Sequence, residues 1–166
     1  PPFPSVAIVG RQNVGKSSIY NKLTNTKSAL VADFPGMTRD YRIGECSVGT
    51  GVLNIIDTGG LSQSTEKIID DHVNEKTIEI IHSVDHVILV VDALVGYTHT
   101  DEKIFNQILK MNIKFSVFIN KSENKIKNNL IFEFSELTKK PFYFISALQN
   151  IGLENAINEV VKKNSL

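Results

Sequence analysis

Five short apolar runs recur along the chain: SVAIVG, VLNIID, HVILVVDA, FSVFINK and PFYFISA. Each is continuous. A strand with one wet face would alternate apolar and polar residues, so these runs specify strands covered on both sides. Longer stretches with helical spacing lie between them. Residues 17–25 carry Ile19, Tyr20 and Leu23, and residues 67–82 carry Ile68, Ile69, Val73, Ile78 and Ile81. Residues 101–111 carry Ile104, Ile108 and Met111, and residues 153–161 carry Leu153, Ala156, Ile157 and Val160. Strands alternating with helices predict an α/β fold, a mainly parallel, doubly wound sheet with helices on both faces. Residues 42–56 read as two adjacent strands joined near VGTG, so one of the six strands is expected to be an antiparallel edge. The polar stretch NKSENKIKNN at 120–129 reads as an exposed loop beyond its first few residues.

Such sheets bind ligands beyond the carboxyl ends of their strands. Four of the five runs end there in a suggestive polar cluster: GRQNVGKS, DTGG, NKSE and SAL. The remaining composition narrows the partners. At 166 residues the chain suits one domain, and its abrupt ends suggest an excised part of a longer protein. Eighteen basic residues balance eighteen acidic ones, which gives no electrostatic case for a surface devoted to nucleic acid, although a local patch is not excluded. A lone Cys46 rules out an internal disulfide and reads as a small core residue. His82 and His86 fall at a helix–strand junction, a poor place for one helical face to present both to a metal. No run approaches the roughly 20 apolar residues of a membrane-spanning helix, and the N-terminus lacks the charged region of a signal peptide.

Residues 10–17 fit G-x-x-x-x-G-K-S between an apolar strand and a helix. Gly10 and Gly15 let the backbone approach an anion, and successive N–H groups, including those near Val14 and Ser18, converge at the positive end of the helix. Lys16 would reach the β- and γ-phosphates, and Ser17 would ligate Mg²⁺. Asp57 can hold Mg²⁺ through its water shell, while Thr38, in FPGMTRD, can add a hydroxyl ligand and reach the γ-phosphate. Asn120, Lys121 and Glu123 suit guanine: an amide for the base edge, a stem for its face, and a carboxylate for the N1–H and exocyclic amine. Adenine offers no such donor pair.

These motifs, in this order, resemble the G domain of translation-factor-class GTPases of the P-loop fold. GRQNVGKS, VADFPGMTRD and DTGG together resemble the first GTPase domain of the EngA (Der) family, and the similarity runs through VILVVDALVGYTHTDEKI to ISALQNIGLENAI. Era, MnmE and FeoB share the cradle but usually carry DTPG, DTAG or DLPG as the third motif. The resemblance implies a single G domain over 1–166 that binds and hydrolyses GTP with Mg²⁺, in a protein that matures the large ribosomal subunit. It also implies that Gly60 belongs to the nucleotide site with Ser146, Ala147 and Leu148. RNA contact is expected through the longer protein and not from this domain alone. No membrane partner is expected, and the setting is the cytoplasm or an organelle of bacterial descent.

Three departures stand out. Gln12 replaces the usual Pro and should point away from the phosphates. Glu123 replaces the usual Asp, which adds a methylene and misaligns its bonds to guanine. Leu61 stands where Ras-like proteins place the glutamine that orients water, and it cannot hydrogen-bond. In potassium-activated relatives, an asparagine matching Asn13 helps hold K⁺ beside the phosphates, with carbonyls from the loop around 31–36. By that resemblance Asn13, Lys16 and Thr38 are the catalytic residues, and K⁺ replaces the missing glutamine's contribution. The segments 25–42 and 59–71 are expected to be switches. Rival readings are a switch that binds guanine nucleotide without hydrolysing it, a P-loop ATPase or kinase, and an Era- or MnmE-like GTPase with another RNA partner.

Overall fold

The computed structural model describes residues 3–24, 41–49, 51–59 and 74–164. Six strands form one sheet: β1 Ser5–Val9, β2 Arg42–Val48, β3 Gly51–Asp57, β4 His86–Asp92, β5 Phe115–Asn120 and β6 Phe142–Phe144, in the order β2-β3-β1-β4-β5-β6. Among the described strands only the β2–β3 pair is antiparallel, and β2 and β6 are the two edges. Burial follows position. All seven residues of central β4 are buried, whereas β2 buries alternate side chains, Cys46 and Val48 inward with Glu45 and Ser47 outward.

Alternation along β1 divides the core. Val6 and Ile8 pack on one face with Ile19 and Tyr20 of α1 (Lys16–Thr24) and with Leu153, Ala156, Ile157 and Val160 of α5 (Leu153–Asn164). Ala7 and Val9 face the other way, toward Ile81 of α2 (Glu75–Ser83), Ile104, Phe105 and Ile108 of α3 (His99–Lys110), and Leu130 of α4 (Lys127–Glu133). Helix starts carry their own signals. Asn74 accepts the N–H of Thr77, and Thr98 with Asp101 forms a reciprocal capping box before α3.

The sheet matches the sequence reading in its six strands, their mainly parallel direction and the antiparallel edge strand. One reading is corrected: residues 127–129, read as loop, open α4. This helix has no side-chain cap and buries only Leu130 along its length, and its three apolar residues, Leu130, Ile131 and Phe132, are consecutive and so mark no helical stripe. Of the readings for α2, residues 67–73 lie outside the described segments, as do Thr38, Gly60, Leu61, the loop around 31–36 and nearly all of both expected switches.

Candidate nucleotide site

β1 ends at Val9 and the chain turns through residues 10–15 into α1 at Lys16. Two glycines make the turn possible. A Cβ on Gly10 would come within 2.7 Å of the Val90 carbonyl oxygen, and one on Gly15, at φ +105°, would collide with Asn120 Nδ2. Asn13 adopts φ 67°, a conformation asparagine tolerates. Above the loop lies an open cavity of about 480 Å³, lined by Gln12, Asn13, Gly15, Lys16, Ser17, Ser18, Gly59 and Lys121. Gln12 is thus on the cavity wall.

Lys16 is buried and folds back over the loop, donating to the carbonyls of Gly10 and Arg11, each at 2.6 Å. Burial lowers its pKa to about 8, against the pull of Asp57 and with the repulsion of Arg11. The ammonium is therefore held dry, on neutral carbonyls, at the cavity wall. A group bearing negative charge that reached this wall would replace those neutral carbonyls without fresh desolvation of the lysine.

Asp57, at the end of β3, is also buried. Its Oδ1 accepts the N–H of Gly59 at 2.9 Å; its Oδ2 accepts the Ser17 hydroxyl at 3.3 Å and Arg42 Nη2 at 2.8 Å. Arg42 also donates to Asn21 at 3.2 Å and lies 4.5 Å over the Tyr20 ring. A buried carboxylate oxygen that draws in a guanidinium, with a hydroxyl beside it, is a donor set that fits a hard divalent cation.

The far wall comes from the ends of β5 and β6. Asn120 is buried and acts as a strut: its Nδ2 donates to the Val14 carbonyl at 2.9 Å, and its Oδ1 accepts the N–H of Ala147 at 3.0 Å. One N–H and one lone pair remain on its amide for a base. Lys121, at φ 65°, donates to Asn13 O at 3.0 Å and to Asp92 Oδ2 at 2.7 Å. Burial disfavours the Asp92 anion, but the Lys121 bond and the N–H groups of Val95 and Leu94 prevail and hold its carboxyl below the usual range. Ser146 is buried, its Oγ accepting the N–H of Gln149, while Glu123 and Leu148 are exposed.

The structure thus brings together Gly10, Asn13, Val14, Gly15, Lys16, Ser17, Ser18, Asp57, Asn120, Lys121, Ser146 and Ala147 around one loop. Four contributors carry no motif signal of their own. Arg42 pairs with Asp57 across β2–β3, a register obtained by counting back from the VGTG turn. Asp92 ends the one apolar run whose terminal polar residue the motifs did not use. Arg11 Nε approaches Asp101 Oδ1 to 3.2 Å in a buried contact lacking hydrogen-bond alignment, which ties the loop to the start of α3. Only the packed structure could pair those two.

A glycine-bounded loop carrying Lys16 and Ser17, a strand-end carboxylate and an Asn-Lys pair closing the far wall define a P-loop GTPase domain. Comparison with known proteins agrees. The sequence profile described as 50S ribosome-binding GTPase matches residues 5–121, and the chain belongs to that family. It is 39% identical over 155 residues to GTPase Der of Psychromonas ingrahamii, covering 93% of this chain and 32% of that protein. GTPase Der of Neisseria meningitidis is 35% identical over 160 residues, 96% of this chain and 33% of that protein. The chain spans about a third of the length of these curated relatives. Among solved structures, Era in complex with MgGDPNP and nucleotides 1506–1542 of 16S ribosomal RNA has a TM-score of 0.71 at 25% identity, over 96% of this chain and 56% of Era's. The cytosolic domain of T. maritima FeoB in its apo form, at 24% identity over 99% of this chain and 65% of its own, shares the fold with a TM-score of 0.75.

Proposed function

We propose that this chain is the G domain of a longer Der-like protein, and that it hydrolyses GTP with Mg²⁺, faster in potassium than in sodium. The proposed setting is large-subunit maturation in the cytoplasm. The observation that carries the reading is the dry Lys16 ammonium beside Ser17 and Asp57 on a loop braced by Asn120. Lys16 would leave the Gly10 and Arg11 carbonyls for phosphate oxygens. Ser17 and Asp57, with Thr38 from the sequence reading, would hold Mg²⁺, which when bound supplies positive charge against the phosphates. Asn120 and Lys121 would orient the base while keeping their bonds to the loop, so base and phosphate recognition share one framework.

Leu61 cannot orient water, and Asn13 lines the cavity beside Lys16. That pairing supports the potassium reading, in which a cation near Asn13 counters charge as the γ-phosphate leaves. The test is phosphate release from GTP in KCl and NaCl at matched ionic strength, with ATP as control. Turnover is expected to be faster in KCl, and Asn13→Ala should remove that difference. Equal turnover in both salts overturns the potassium reading. ATP turnover matching GTP overturns the guanine reading.

A further inference from the structure

The strands β1, β3, β4, β5 and β6 are parallel, so their amino ends gather opposite the nucleotide site. A second cavity of about 480 Å³ opens there, lined by His86, Asn112, Ile113, Lys114, Phe115, Lys140, Pro141 and Lys163. Three of the eight are lysines and none is acidic. No carboxylate pairs with Lys114, Lys140 or Lys163 among the described residues. Lys140 lies 5.3 Å over the Phe115 ring, and Lys114 Nζ is 3.5 Å from the Lys163 carbonyl, a marginal contact.

His86 adds no charge to the floor of this cleft. It is buried, with Nε2 at 2.8 Å from the Ser116 hydroxyl and Nδ1 at 3.1 Å from Asn164 Nδ2, so both ring nitrogens have neutral partners. Burial, reinforced by Lys163 and Lys114, lowers its pKa to about 4. The cleft is therefore a concentration of fixed cations in a chain with a formal net charge of zero. A net charge of zero gives no case for nucleic acid on average but leaves room for a local patch, and this cleft is such a patch.

We propose that the lysine cleft formed by Lys114, Lys140 and Lys163 binds the phosphate backbone of RNA, at the end of the sheet opposite the nucleotide. The choice of RNA as the polyanion rests on the ribosomal reading above. A membrane surface fits less well, because none of the exposed large apolar side chains described for the chain, among them Leu94, Val95 and Phe132, lines the cleft to anchor in lipid. Placement at the opposite end leaves both sites open together, so RNA and nucleotide do not compete.

Anisotropy of a fluorescein-labelled 20-nucleotide oligouridylate tests this, with the intact chain at 50 and 200 mM KCl. Three neutralised phosphates predict a weakening of about 20-fold across that fourfold rise in salt. Lys114→Glu/Lys140→Glu/Lys163→Glu should bind at least ~10-fold more weakly than a control of equal charge change, Lys22→Glu/Lys76→Glu/Lys125→Glu. Fluorescent GDP binding, unchanged in both triple variants, shows that each is folded. Equal weakening in both variants, or no RNA binding by the parent, overturns the cleft, as does saturable binding to phosphatidylserine vesicles without binding to RNA. Sedimentation of the chain with large ribosomal subunits separates the two readings. Sedimentation that survives the cleft substitutions overturns the cleft alone, whereas its absence in a parent that binds oligouridylate supports the cleft and overturns the ribosomal choice of RNA.

Discussion

Asn120 should matter to the fold before any nucleotide arrives. In Asn120→Ala the Val14 carbonyl loses its amide donor and the Ala147 N–H loses its acceptor, both in buried surroundings. An orphaned buried polar group costs about 1–3 kcal/mol, so the two together should remove ~2–6 kcal/mol of stability. That is a large share of the roughly 5–15 kcal/mol typical of a domain. Asn120→Asp is expected to fare no better: it keeps an acceptor for Ala147 but turns a carboxylate oxygen toward the Val14 carbonyl. The assay is urea unfolding of nucleotide-free protein, with hydrogen exchange at the Ala147 amide as the local readout. A loss below about 0.5 kcal/mol, with Ala147 exchange unchanged, would refute the strut and leave Asn120 as a reader of the base alone.

Two further outcomes follow from the same loop. Asp101→Ala removes the capping-box acceptor for Thr98 and the charge partner of Arg11; with Arg11 17% exposed, the expected loss is ~2–3 kcal/mol by urea unfolding, and Asp101→Asn, which keeps the cap, should lose about half of that. Lys16, lowered to about 8 in the free protein, should regain its proton when phosphate arrives, so calorimetry of GDP binding at pH 8.5 in buffers of different ionisation enthalpy should show uptake of roughly 0.75 proton. The sign for folding runs with it: an unfolded lysine takes its proton first, so the nucleotide-free fold loses stability as pH falls from 10.5 through 8.

The parallel strands were legible because burial on both faces leaves a continuous apolar run, and β4 with seven buried residues is the plainest case. β2 has no such run; its place came from the turn that joins it to β3. α4 was missed because one buried leucine makes no stripe, and its stability comes from Leu130 and Phe134 packing under the sheet. At the site, the chemistry was legible wherever a short spacing encodes it, as in residues 10–17. The wiring was not. Arg42 meets Asp57 across 15 residues and Lys121 meets Asp92 across 29, and such pairings are properties of register and packing.

The bond between Asn120 and the Val14 carbonyl joins residues 106 apart in the chain. During synthesis the phosphate loop is therefore made early and braced late. A nascent chain that has released β1 to β4 holds Lys16 and Ser17 in the right order but leaves that carbonyl bare until β5 follows. A nucleotide that met this half-made chain would find the loop without its brace. Nucleotide capture is therefore expected to tighten only once β5 docks, late in co-translational folding.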